Sequence, residues 1–472
     1  MHYSSLFRFL IVPLLMSLVI FSAFRSTDHP MVTAEEPEMI WAKFCSGCHG
    51  VQMVAFTDRQ WKNGNSDSAL LASINKGNVE KGMPPFATAF SEPDKKALVA
   101  YIQSGIKNAG KYITEEKMTS NIVKTENNTF RLDTLFSGIK NPWSMDLLPG
   151  GEMLVTDRAG KLFHVKANMD KQEISGVPEV RAAGQGGLFD IKIDPAYPTN
   201  SIIYLSYAKG VTSDSGAVNT TAVVRARLEG GMLKDVKEIF EAKPYQKTEY
   251  HYGGRMEFGK DGYLYITVGD RGKHFVTAQS VDNDGGKVHR IKTDGSIPAD
   301  NPFVKVTGAH ASVYSLGHRN PQGMAIHPVT GEIWTNEHGP RGGDEVNIVK
   351  AGKNYGWPVI TWGLNYDGTI LSKETVKPGM EQPLLYWVPS IAPSGMAFVK
   401  GNKYKGWNNA LLVGSLRFKY LNVCYLQGSK IVKEETVMNN VGRVRDVRMG
   451  PDGFVYVIVE DPGYVFRLAP ML

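Results

Sequence analysis

The chain has 472 residues, 42% of them hydrophobic and 21% charged, enough apolar mass for a full core and for more than one domain. A formal net charge of +6, with no basic run interleaved with aromatics, argues against nucleic acid as a partner. The 49 glycines, 25 prolines and 10% aromatics favour turns and strands over long helices, so a mainly β body is expected.

The N-terminus, MHYSSLFRFLIVPLLMSLVIFSAFRS, carries Arg8 ahead of an apolar run from Phe9 to Phe24 and then turns polar, which reads as a secretory signal over residues 1–25. The run is nearly long enough to span a bilayer, and Phe21-Ser22-Ala23 is a poor cleavage site. An uncleaved anchor is therefore the competing expectation, and the only route to a membrane. Either reading places the chain in the periplasm or outside the cell.

There are three cysteines, Cys45, Cys48 and Cys424, too few for a disulfide framework in an exported protein of this size. The pair Cys45 and Cys48 lies in FCSGCHG. No second pair at metal spacing suggests zinc, and a thioredoxin-like pair would not need His49. Cys-Ser-Gly-Cys-His meets the rule for covalent attachment of haem c in full. EEPEMIWAKFCSGCHG reads as a short helix, so Cys45, Cys48 and His49 share a face: two thioethers for the porphyrin, and an imidazole for its iron. KGMPPF then offers Met83 as the sixth ligand, with Met53 as a weaker competitor. SEPDKKALVAYIQSGI opens with a capping box and puts Ala97, Leu98, Tyr101 and Ile102 on one stripe. Residues 34–106 thus resemble a small class I cytochrome c, all α, in which His/Met ligation implies electron transfer. Residues 107–129 are polar and without periodicity, a linker. Cys424 is expected to be a buried, inert thiol.

From 130 to 472 the pattern changes. WSMDLLPGGEMLVTDRAGKLFHV, LFDIKIDPAYPTNSIIYLSYA, RMEFGKDGYLYITVGDRG, GMAIHPVTGEIWTNEHG, GMAFVKGNKYKGWNNALLVGSL and RDVRMGPDGFVYVIVEDPGYVFRL each read as strand, turn, strand. Six returns of one phrase, with variable loops between, predict a six-bladed β-propeller rather than a large β-sandwich.

The loops between phrases carry GQGGLFD, YHYGGR, VGDRG, LGHRNPQG, NEHGPRGGDEVNIV, NYGWP, APSG, GSLR and GRVRDV. On these phrases the region from about 130 to 470 resembles the soluble PQQ-dependent aldose (glucose) dehydrogenases. PQQ bears three carboxylates, and guanidinium forks suit it. The resemblance assigns the cofactor to Gln185, Arg319, Asn320, Arg417, Arg443 and Arg445, the last two alternating on one strand and so sharing a face. It places His251, Asp270 and Arg319 in the catalytic group, with His251 as the general base and Asp270 orienting it. It also implies calcium on the Gly339 and Pro340 carbonyls beside PQQ, and a second calcium for which Glu345 and Tyr355 are candidates. His289, His310, His327 and His338 are read as structural or supporting, and Trp362 as a pocket wall. Two departures stand out: Arg417 where the family often has lysine, and RGKHFVTAQ after Asp270, where no family contact aligns.

The expected activity is oxidation of an aldose at C1 to the lactone. Electrons would pass through PQQ to the fused haem, and on to another cytochrome or the respiratory chain. A sorbosone-type sugar aldehyde is an alternative substrate within the same chemistry. A metal-dependent lactone hydrolase and a non-enzymic sugar-binding propeller are the alternatives outside it. The first would want a carboxylate-rich metal centre and no haem, and the second would lack His251 or Arg443.

Overall fold

The computed structural model describes residues 36–49, 64–79, 83–112, 120–213, 216–272, 277–366, 369–388, 390–460 and 463–471. The signal or anchor segment and Met53 lie outside them, as does the side chain of Cys48.

The N-terminal domain is helical. Pro37–Ile40 is α-helical, Trp41–Cys45 widens to a π-turn, and Ser46–His49 returns to α. The helical face expected for the CxxCH stretch is therefore continuous but underwound just before it, with the Ser46 hydroxyl donating to the Ala42 carbonyl at 2.7 Å. A helix at Asp67–Lys76 is capped by Ser66, whose hydroxyl accepts from the Ala69 amide at 3.3 Å. The last helix, Glu92–Tyr112, begins at the capping box: the Ser91 hydroxyl accepts from the Asp94 amide and donates to its carboxylate. Leu98, Val99 and Ile102 are its buried stripe, and they pack with Ile40, Trp41, Leu70, Ile74 and Phe86. Val99 is buried where the sequence pattern pointed to Ala97 and Tyr101, both half-buried. The helix also runs one and a half turns into the stretch read as linker, whose far end holds a strand, Ile122–Lys124.

Twenty-five strands follow, in six antiparallel sheets. Five are four-stranded meanders within 142–174, 188–241, 256–316, 321–387 and 393–437, here blades one to five. The first strand of each blade touches the first strand of the next, all the way round, so the first strands line a central axis. This is a six-bladed β-propeller, and each of the six repeated phrases supplies the inner strands of one blade.

Blade six closes the ring. Its strands Val444–Met449, Val455–Val459 and Tyr464–Pro470 come from the C-terminus, and Thr129–Ser137 and Ile122–Lys124 from the start of the domain. Phe130 pairs with Pro470 and Ser137 with Tyr464. Tethering the first strand to the last removes the open edge that a ring of separate sheets would otherwise have. The repeated turn has its own chemistry: in GKDGY and GPDGF, the Asp261 and Asp452 carboxylates accept from the Tyr265 and Tyr456 hydroxyls at 2.8 and 2.7 Å, and Gly262 and Gly453 sit at φ +77°. Cys424 is fully buried in blade five, and burial raises its thiol pKa well above the ordinary value, as expected of an inert thiol.

Phe130 is fully buried in the closing blade, 5.8 Å edge-on from Trp407. Phe130→Ala should lower unfolding stability by about 3–5 kcal/mol, read by denaturant titration. A loss below about 1 kcal/mol would mean that closure does not limit stability.

Candidate active site

In an antiparallel meander the residues before the first strand and after the second emerge at the same end of the blade. The rim residues follow from that rule. Gln185 precedes the first strand of blade two, His251 that of blade three, Arg319 and Asn320 that of blade four, and Arg443 that of blade six. Asp270 follows the second strand of blade three, Gly339 and Pro340 that of blade four, and Arg417 that of blade five.

His251 and Asp270 meet here. His251 Nδ1 lies 2.7 Å from Asp270 Oδ1, with Asp270 fully buried and His251 13% exposed. The carboxylate is fixed on both oxygens: the Gly272 amide donates to Oδ1 at 2.8 Å, and the Trp357 indole Nε1 donates to Oδ2 at 2.7 Å. Burial works against its charge, but the facing His251, then Arg319 and the Gly272 amide, outweigh burial and hold the Asp270 pKa down to about 2. Burial first, and then the Arg319 guanidinium, lower the His251 pKa against the pull of Asp270. The imidazole is therefore neutral at pH 7, with Nδ1–H on Asp270 and Nε2 left as a base.

The backbone at His251 is in the left-handed region, φ +55°, uncommon for a side chain of this size. Gln185 supports it, its side-chain oxygen accepting from the His251 amide at 2.8 Å. Gly253 and Gly254 follow at φ +67° and +91°, and a Cβ on either would come within 2.7 Å of Thr267 or Phe189. Asn320 Oδ1 accepts from the Gly253 amide at 3.2 Å, so that side chain holds the base's loop.

The cations stand around this pair. Arg319 Nη1 donates to the His338 and Gly339 carbonyls at 3.1 and 2.7 Å, and its guanidinium lies 5.2 Å from the Trp357 ring centroid. Its Nε is buried without a hydrogen-bond acceptor. Arg443 Nε and Arg445 Nε both donate to Glu460, at 2.7 and 2.6 Å, which confirms that they share a face. The two guanidiniums hold the half-buried Glu460 at a pKa of about 2, against the desolvation that would raise it. Arg417 donates to the Ser390 carbonyl at 3.2 Å. Among the described residues no salt bridge gives Arg319 or Arg417 a carboxylate, so the rim carries four guanidiniums against Glu460 and Asp270. That excess, with the orphaned Arg319 Nε, fits a bound polyanion.

The Gly339 carbonyl, a candidate calcium ligand, is also the acceptor of Arg319. Asp344 holds its turn, accepting from the Gly339, Ile391 and Ala392 amides and the Ser390 hydroxyl. Glu345 pairs across its hairpin with Glu337. Burial, and then Glu337, push the Glu345 pKa up to about 8, the signature of carboxylates that lack a cation. Tyr355 is connected to that pair through His318: its ring stacks on His318 at 4.6 Å, and His318 Nδ1 lies 2.9 Å from Glu337. The Tyr355 hydroxyl itself is engaged with the Ile348 carbonyl and the Lys350 amide. Among the described residues no three His, Cys, Asp or Glu side chains come together as a metal cluster.

The indole at the base is Trp357, which the sequence did not single out; Trp362 instead stacks on Tyr386 at 4.1 Å. NYGWP contains Trp357 and was the available signal. His338 Nε2 donates to the Pro393 carbonyl, and His289, His310 and His327 bond to neighbouring turns, all outside the dyad.

In the N-terminal domain, Cys45, His49 and Met83 line one apolar cavity, walled by Trp41, Leu70, Ile74, Phe86, Phe90, Leu98 and Ile102. Met83 is held there by paired backbone hydrogen bonds with Asn78, at 2.7 and 3.0 Å. Both candidate iron ligands and one attachment cysteine thus face a cavity whose apolar lining suits a porphyrin.

Residues 139–467 match the family described as Glucose / Sorbosone dehydrogenase, and residues 32–102 match that described as Cytochrome C oxidase, cbb3-type, subunit III. The chain belongs to the glucose/sorbosone dehydrogenase family, with a cytochrome c domain ahead of the propeller. It is an oxidoreductase of the sugar dehydrogenase class. It is 41% identical over 350 residues to the aldose sugar dehydrogenase YliI of Escherichia coli, covering 72% of this chain and 93% of that one. The crystal structure of the soluble aldose sugar dehydrogenase of Escherichia coli in the apo form aligns with a TM-score of 0.70 at 40% identity, over 72% of this chain and all of that one. The PQQ-bound form of an aldose sugar dehydrogenase from Streptomyces coelicolor aligns at 0.60 and 27% identity, over 74% and 98%.

Since the base must be neutral, sugar oxidation should persist below His251's ordinary pKa of 6.5 and be lost as pH falls through the depressed value. Arg319→Gln removes a cation that lowers that pKa, so the acid limb of kcat/KM should move to higher pH. An unmoved limb would detach Arg319 from the base.

Proposed function

We propose that this chain is an exported quinohaemoprotein that oxidises aldoses at C1 to lactones. The observation that carries the reading is the buried His251–Asp270 pair set among Arg319, Arg417, Arg443 and Arg445. The residues fit PQQ: Arg443, Arg445, Arg417, Arg319, Asn320 and Gln185 would hold it, and when bound it would supply an ortho-quinone able to accept hydride. The Gly339 and Pro340 carbonyls would hold calcium beside it, hard oxygen donors suited to that ion.

His251 Nε2 takes the proton of the C1 hydroxyl as hydride leaves C1. Asp270 stabilises the imidazolium that forms, and Trp357 keeps that carboxylate in place. Arg319, already close to the dyad, adds positive charge where the acceptor gains negative charge. Cys45 and Cys48 would carry haem c, with His49 and Met83 as the candidate ligands of its iron, a set that would supply electron transfer. The signal-like residues 1–25 and the CxxCH motif support a periplasmic or secreted setting, with a further cytochrome or the respiratory chain as final acceptor. A sorbosone-type aldehyde would use the same groups.

In haem-loaded protein given PQQ and calcium, aldoses should reduce the haem, followed by absorbance. His251→Gln should lower kcat by roughly 10²–10⁴-fold with KM little changed. Reduction of a dye but never of the haem would leave a dehydrogenase without the internal acceptor, and no reduction of either would return the propeller to lactone hydrolysis. Chelation should lower Tm by several degrees, and Glu345→Gln should abolish that response. A Tm indifferent to chelator would remove the second calcium site.

A further inference from the structure

The haem-cavity domain and the propeller touch at one defined place. The Arg341 guanidinium lies 4.1 Å from the centroid of the Phe44 ring. Phe44 directly precedes Cys45, and it packs edge-on against Phe90 and Phe86, at 4.9 and 6.4 Å, both of which wall the haem cavity. Arg341 directly follows Gly339 and Pro340, the turn that supplies carbonyls to the rim of the active site. A single cation–π contact therefore joins the wall of one cofactor site to the rim of the other.

Two further observations mark this surface as an interface. Arg341 is anchored by reciprocal backbone hydrogen bonds with Leu364, at 3.0 and 3.1 Å. Around it Leu364, Tyr386 and Val388 stay 40%, 40% and 62% exposed beside the haem domain, an apolar margin that adjoins the contact without being covered by it. Val388 packs over Gly342, next to Arg341 in the chain. Among the described residues no carboxylate pairs with Arg341, and the face of the Phe44 ring is its partner.

We propose that Phe44 on Arg341 is the docking contact that holds the haem domain over the sugar-oxidising pocket and makes the fused haem its direct acceptor. The inference rests on the quinohaemoprotein reading above. Each sugar oxidised releases two electrons and two protons. The electrons cross the contact one at a time, each converting one ferric haem iron to ferrous, and the protons leave to solvent. A one-electron acceptor outside the chain must reoxidise the iron between the two transfers and after the second. Arg341 acts here as a positioning residue.

The test uses the full chain with haem attached, and Arg341→Ala beside Phe44→Leu, which keeps an apolar side chain in the haem domain but removes the ring face. Small-angle scattering without PQQ reads docking alone. Both variants should enlarge the particle's maximum dimension, with the docked-to-undocked ratio falling about five- to thirty-fold. Stopped-flow absorbance with PQQ, calcium and an aldose should then show haem reduction slowed by a similar factor, while reduction of a small dye by Arg341→Ala stays at the parent rate. Unchanged scattering in both variants would overturn the docking contact. An enlarged particle with undiminished haem reduction would overturn the electron-transfer role. If the parent chain reduces no dye with any sugar, the dehydrogenase reading fails, and the scattering comparison still decides whether the domains dock here.

Discussion

Four charged side chains at the propeller axis hold the active-site rim in register. Asp190 comes from blade two, Arg255 from the entry to blade three, and Asp446 and Arg448 from blade six. Arg255 Nη1 reaches Asp190 at 3.2 Å and Asp446 at 3.0 Å, while Arg448 reaches the same two carboxylates at 2.5 and 2.8 Å. Ser144 of blade one donates to Asp190 at 2.5 Å. All four are buried and formally neutral as a set, the condition under which buried charges are tolerable. Removing one would strand its partners, a loss of about 3–5 kcal/mol by comparison with other buried pairs. Each is also a short step from the chemistry. Arg255 ends the Gly-Gly segment after His251, Asp446 follows Arg445, and Arg255 Nε bonds the Gln322 carbonyl just beyond Asn320. The knot therefore sets where the base, the cations and the Asn320 support begin.

What the knot positions is a deliberate imbalance. The rim gathers four guanidiniums and lets Glu460 answer two of them. It keeps its base neutral by burial and by Arg319, while the base's own carboxylate stays ionised. At neutral pH a histidine in such a field is poised to take a proton when a negative charge arrives nearby, as the proposed reaction would require. The left-handed backbone at His251 costs of the order of 1 kcal/mol, and the Gln185 side chain and the Gly253–Asn320 hydrogen bond over-determine it.

Much of this was legible in the sequence because it is periodic or local. The six strand-turn-strand phrases each became the inner strands of one blade, since a two-residue alternation around a Gly-bearing turn has few other ways to bury itself. The capping box at Ser91 formed as written. The rim residues were singled out through the resemblance of their loops; the structure places His251 beside Asp270, and it sets Arg443 and Arg445 on one face as their alternation on a strand implied. What was not legible depends on ring closure. Trp357 meets Asp270 across 87 positions of chain, a contact created by the meeting of neighbouring blades and invisible to any window. The strand Ile122–Lys124 is three residues long, too short for alternation to register, and exists because blade six needs an outer edge. The Phe44–Arg341 contact spans two domains whose patterns are unrelated.

Covalent fusion changes what such a contact must achieve. A cation–π pair contributes about 1–2 kcal/mol, far too little to hold two free proteins together at micromolar concentration. On one chain the partner is present at an effective concentration in the millimolar range, and the same contact needs only to select one orientation among those the tether allows. Weakness then has a use. A haem domain bound tightly over the pocket would obstruct sugar entry and shield its iron from the outside acceptor. One held by a single ring and a single guanidinium can leave the rim between electron transfers and return. The connection that brings the haem to the sugar-oxidising site can therefore also release it.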